Sequence, residues 1–295
     1  MRRMTVVALL ASAASASGAV SSLFTAANSG TPTGAQINLP GATGVAVGPL
    51  TLNGNPIGGT ISDLASASGG MTAGQKVHAL GTVGGQSGLF EVDPSGGALS
   101  FSGAITLAGF PLPTAGEGAI AAGPNGELHM AAVVGGSGGL YSLNASTGVA
   151  TFRGSFSLAG TPVNPSEIIG LATSPSGNTF GLFTVGGVVN LFGINPSDAS
   201  LTLIGSPNLL GQPLSGVFSD IAFDDAGTLY TTNFLSGGVT SLFAINTANA
   251  GLTLLGNVGE GVATDAPITG LAWVPAPGTL GVLGLMAGAS IRRRR

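Results

Sequence analysis

The apolar positions of this chain follow a repeating plan. Adjacent large apolar residues stand at Leu89-Phe90, Leu140-Tyr141, Leu191-Phe192 and Leu242-Phe243, and the intervals 140 − 89, 191 − 140 and 242 − 191 are each 51 residues. Each pair opens a segment in which apolar and polar residues alternate on either side of a turn: LFEVDPSGGALSFSG, LYSLNASTGVATFRG, LFGINPSDASLTLIG and LFAINTANAGLTLLG. Two-residue alternation interrupted by Asp/Asn-Pro, Ser-Thr-Gly or Asn-Ala-Gly predicts two antiparallel strands joined by a tight hairpin. Upstream of each pair stands a second hairpin, in GAIAAGPNGELHMAAVV, IGLATSPSGNTFGLFTV and SDIAFDDAGTLYTTNF. The unit is four short strands, a to d.

Four strands in about 50 residues, repeated in tandem, resemble the blades of a β-propeller, in which small sheets pack face to face around an axis. Strand a occurs five times, at Leu64-Ala65, Ile120-Ala121, Leu171-Ala172, Ile221-Ala222 and Leu271-Ala272, and the last copy has no b, c and d after it. Residues 21–50 supply them, with Leu23-Phe24 as b, Ile37 to Leu39 as c and Thr43 to Val47 as d. The expected fold is all-β: a five-bladed propeller of four-stranded antiparallel blades, one blade closed by the two chain ends. Between units a Leu-x-Gly-x-Pro connector recurs from Leu52, Leu107, Leu158 and Leu209, and reads as a crossover loop, where proline is tolerated.

Charge is distributed unevenly. Of eight Lys and Arg, only Lys76 and Arg153 lie away from the ends, while all twelve Asp and Glu are central, so the central part carries 2 − 12 = −10. That excludes nucleic acid as a partner, since its affinity comes from cations on phosphates. With no cysteine, disulfides and thiolate metal sites are excluded too.

The ends have a different character. MRRMTVVALLASAASASGA carries two arginines, a short apolar stretch and small residues, with Ala14-Ser15-Ala16 and Ser17-Gly18-Ala19 as cleavage candidates, which is the plan of a signal peptide. The C-terminus runs Val274, Pro275, Ala276, Pro277, Gly278, then an apolar stretch to Ile291, then Arg292, Arg293, Arg294 and Arg295. An apolar segment before a basic cluster is a stop-transfer arrangement, here slightly short for a permanent transmembrane helix. This tail resembles the PEP-CTERM sorting signal of bacterial exported proteins, with Ala276 where that signal usually has Glu. The resemblance covers the last 22 residues or so and implies recognition and removal by an exosortase-type peptidase. The expected organisation is a signal peptide at 1–19, the propeller at 20–274 and the sorting signal at 275–295. The expected location is the cell surface or extracellular space, after transient membrane anchoring.

Candidate chemistry is sparse. His78 and His129 share one strand b slot with Phe24, Phe180 and Tyr230, so planar rings packing between blades explain that slot better than metal ligation. Asp63 and Asp220 occur at the start of strand a where the other blades have Ala119, Gly170 and Gly270, and are the candidates for a cation in the axial channel. Asp93, Asn195 and Asp224-Asp225 fall at hairpin turns, where their backbone geometry accounts for them. No cofactor motif is present. The leading expectation is a monomeric, non-catalytic binding or structural module, with extracellular polysaccharide as a partner suited to its low charge. The alternative is a metal-dependent hydrolase or lyase at the channel mouth, using Asp63 and Asp220 with Glu117 or Glu167.

Overall fold

The structure is a computed structural model and describes residues 22–29, 31–39, 42–66, 77–112, 118–214, 216–235, 239–258 and 268–274. Residues 1–21, Glu117 and 275–295 lie outside it, so both terminal signals are absent from the description apart from Val274. The described residues contain strands and turns, with no helix long and apolar enough to cross a membrane.

Blade one consists of Gly59–Ala65, Val77–Val83, Gln86–Val92 and Ala98–Gly103, from the axis outward. Blade two follows with Gly118–Ala122, Leu128–Val134, Ser137–Leu143 and Val149–Ser155. Blade three has Glu167–Thr173, Thr179–Val185, Val188–Ile194 and Ser200–Gly205, and blade four Val217–Phe223, Leu229–Leu235, Val239–Ile245 and Gly251–Asn257. Blade five takes its inner strand, Ile268–Val274, from one end of the chain and Ser22–Ser29, Thr31–Asn38 and Thr43–Pro49 from the other. Ser22 pairs with Val274 and Leu23 with Trp273, so the ends are zipped by an antiparallel ladder. Inner strands of consecutive blades pack on one another, and that of blade five packs on that of blade one. The chain is a closed five-bladed β-propeller.

The repeated Leu-aromatic pair explains how the blades stack. Successive residues of a strand face opposite sides of the sheet. Leu89 therefore faces the cluster shared with blade two, and Phe90 the cluster shared with blade five. Leu140 and Tyr141, Leu191 and Phe192, and Leu242 and Phe243 divide in the same way, each leucine forward and each ring backward. A sheet with two apolar faces needs two neighbours, and a ring gives every blade both.

The connectors are more ordered than a crossover loop. Thr51–Leu52 with Asn55–Pro56 forms a two-residue hairpin whose first strand runs parallel to the outer strand of blade one, Thr51 opposite Ala98. The same hairpin sits on blades two, three and four, giving six-stranded sheets. Its turn needs positive φ at two successive residues, as a type I′ turn does. These are Asn53-Gly54, Ala108-Gly109, Ala159-Gly160 and Leu210-Gly211.

Candidate functional site

The inner strand of each blade is an edge strand, and its free edge points at the axis. Backbone N–H groups on that edge have no strand to bond and little water to turn to. The channel mouth, lined by Ala65, Ala122, Thr173 and Phe223 among others, is a cavity of about 20 Å³, room for one water. Just inside it, the side chains of Asp63 and Asp220 take up the unmet bonds.

Asp63 accepts from the N–H of its own neighbour Leu64 at 2.8 Å and from Ile120 of blade two at 2.6 Å. Asp220 accepts from Ile221 at 2.6 Å and from Leu271 of blade five at 2.6 Å. Register shifts between Ile61 and Asp63 and between Phe218 and Ile221 mark bulges at both acids, and a bulge re-aims the groups next to it. The two carboxyls, 1% and 0% exposed, are also hydrogen-bonded to each other across the axis. Two carboxylates cannot bond without a proton between them. Burial first of all pushes Asp63 from 3.8 up to about 7, against the opposing effect of its hydrogen bonds. Burial likewise raises Asp220 well above the ordinary carboxylate range, and the charge of Asp63 adds to it. The pair therefore holds a proton between its two carboxyls at pH values where an exposed Asp has lost it.

Blade three contributes Gly170 to this layer. A Cβ there would overlap Asp220 Oδ1 and stand 2.8 Å from the Ile221 nitrogen, so the carboxyl occupies the space a side chain would need. Asp63 and Asp220, the sequence candidates for a channel cation, lie side by side at the inner strands. Their oxygens are turned to four backbone N–H groups, which join blades one, two, four and five, and a cation would have to displace those donors. Among the described residues no three His, Asp or Glu gather around one point. Glu167 lies apart, exposed, accepting from Thr184 Oγ1 at 3.2 Å.

The histidines stay in separate blades. His129 is buried, its pKa lowered by desolvation, with Glu127 at 3.9 Å from Nε2; His78 lies opposite Glu91 in the strand ladder. The Asp/Asn turns also serve geometry. Asp93, Asn144, Asn195 and Asn246 each accept from the backbone N–H two residues on, at 2.8–3.1 Å.

A second opening, not singled out in the sequence, lies between blades three and four. It is a cleft of about 260 Å³ with Phe180 and Phe223 in its wall, ring centroids 5.4 Å apart, and Ser176, Asn178, Asp225 and Thr247 around it. Pairing the strand b ring of one blade with the strand a residue of the next gives His78 and Ala122, His129 and Thr173, Phe180 and Phe223, Tyr230 and Trp273, and Phe24 and Ser66. Two of these interfaces join two aromatic residues. Tyr230 and Trp273 are both buried, and the Tyr230 hydroxyl bonds Asp224 Oδ2 at 2.9 Å, whereas Phe180 is only partly covered. From the sequence Phe180 reads as a packing ring alone; the signal that it lines a cleft is the second ring, Phe223, in the adjoining blade.

No known protein family and no curated protein matches this sequence. Solved structures do resemble it. TolB from Acinetobacter baumannii superposes with a TM-score of 0.46 at 10% identity, covering 87% of this chain and 66% of its own. A protein from Lactobacillus plantarum gives 0.45 at 12%, covering 81% and 82%, and a calcium-binding regucalcin from Agrobacterium tumefaciens 0.42 at 15%, covering 84% and 75%. At this level of likeness no activity is carried over from any of them.

Proposed function

We propose that this protein is an exported, non-catalytic binding propeller, sorted by its C-terminal signal to the cell surface or extracellular matrix, where it engages neutral polysaccharide. The observation that carries the reading is the channel layer. The paired acids on which a hydrolase or lyase would have to rely are bonded to four inner-strand N–H groups and to each other. Taking them for catalysis would leave four buried donors unmet, at about 1–3 kcal/mol each. Binding therefore falls to the loops and clefts of the faces.

The chain ends support the export half of this reading. The zipped pair Ser22 and Val274 stands just inside the signal-peptide cleavage candidates and just before Pro275-Ala276-Pro277. An exosortase-type peptidase acting near that motif would release the tail without removing a residue of the closing strand. The test has two readings. Mass spectrometry of the mature protein is expected to find both termini trimmed to within a few residues of 20 and 274. Cosedimentation with insoluble neutral polysaccharide is expected to exceed that of an unrelated secreted protein; retention no better than the control would remove the binding role.

A further inference from the structure

Resting on that reading and extending it, we propose that the cleft between blades three and four is the binding subsite, and that it takes a single neutral pyranose ring. This interface departs from the symmetry of the ring. Five interfaces are built on one plan, and among those with two aromatic residues only this one leaves a ring partly uncovered beside an opening. Filling the gap with a larger side chain would shelter Phe180, as burial does for Tyr230 and Trp273. A ligand with an apolar face fits the same gap.

The walls limit what that ligand is. At about 260 Å³ the cleft falls below the roughly 300–1,000 Å³ of pockets that hold drug-sized molecules, so it suits one ring and not an extended chain. Phe180 and Phe223 offer apolar faces for the C–H side of a pyranose. Around them stand hydrogen-bonding groups with capacity to spare. Thr247 forms no side-chain hydrogen bond among the described residues, and Asn178 uses its Nδ2 on Ser176 at 3.1 Å, leaving its oxygen. Alternating apolar and hydroxyl-bearing faces are the surface of a sugar. Charge excludes the acidic members of that class. The lining holds the carboxylate of Asp225 and no cation. Arg153, the one Lys or Arg among the described residues, is engaged by Glu127 at 3.0 Å and Ser142 at 3.1 Å in blade two.

The experiment is saturation-transfer NMR on the full protein with methyl glycosides of glucose, galactose and mannose, and with methyl glucuronide as the charged probe. At least one neutral glycoside is expected to bind, with the glucuronide weaker. Phe180→Ala is expected to weaken binding about tenfold or more, and Thr247→Val, which removes a hydroxyl without a protein partner, about three- to tenfold. Both variants should retain the parent Trp273 fluorescence, which separates loss of the site from loss of the fold. Neutral glycosides that fail to bind, bind no better than the glucuronide, or bind Thr247→Val and Phe180→Ala as well as the parent, overturn the subsite. Polysaccharide cosedimentation that persists in Phe180→Ala sinks this assignment and spares the binding function, so the two failures are distinguishable.

Discussion

Asp63 and Asp220 are 157 residues apart (220 − 63); the repeat puts both at the start of strand a, in blades one and four, but does not say that their carboxyls meet. Their meeting has a consequence for pH. Both native-state pKa values are raised, Asp63 from 3.8 to about 7, so between those values the native chain holds more protons than the unfolded one. Stability from this pair is fully present below about pH 3.8 and is lost as the pH rises through about 7, a fall on the order of a few kcal/mol. Asp93, whose pKa is lowered mainly by its hydrogen bond from the Ser95 hydroxyl, works in the opposite sense, but it is largely exposed and its effect is small. Thermal melts across this range should therefore show the midpoint falling from acid to neutral, and Asp63→Asn/Asp220→Asn should flatten the trend. Asp220→Ala alone, leaving Asp63 without its carboxyl partner and the N–H groups of Ile221 and Leu271 unmet, should lose about 3–5 kcal/mol in denaturant titrations. A midpoint indifferent to pH in the parent would contradict the shared proton.

Elements built on period two were legible before any coordinates. Leu89-Phe90 and its repeats placed strand c, and the Asp/Asn turns placed the hairpins, because alternation and turn chemistry are local properties. The connector hairpins were less so. Strands of two residues carry no alternation, and the left-handed residues Ala108, Ala159 and Leu210 are types that ordinarily avoid that conformation. What holds them there is the parallel pairing with an outer strand, as Leu209 has with Leu252. Leu210 is 95% exposed at φ 54°, so its side chain gains no packing to offset the strain. Leu210→Asn, a residue suited to this turn, should stabilise the protein by about 1 kcal/mol, or roughly 2–4 °C in melting temperature for a chain of this size. An unchanged melting curve would mean that the turn is not strained.

The whole molecule depends on its closing strand. Ile268, Leu271 and Trp273 are buried between blades four and five, together contributing roughly 5–9 kcal/mol at 1.5–3 kcal/mol for each large side chain. That is comparable with the entire stability of about 5–15 kcal/mol expected of a folded domain. A chain ending at Pro267 should therefore lose cooperative unfolding by circular dichroism, while one ending at Val274 should melt like the parent. Equal melts from both would show that the ring does not need its zip. Trp273, the single tryptophan and 5% exposed, reports on this junction directly. By itself the sequence determined the repeat, the strands, the five-fold count and the joining of the two ends, because each follows from spacing and from faces that one sheet cannot bury. Tertiary structure decided what lies between blades: that two distant carboxyls share a proton and bind four edge N–H groups, and that the Phe180 ring borders an opening. Such outcomes depend on angstrom-scale distances across the ring, which the repeat spacing along the chain does not set.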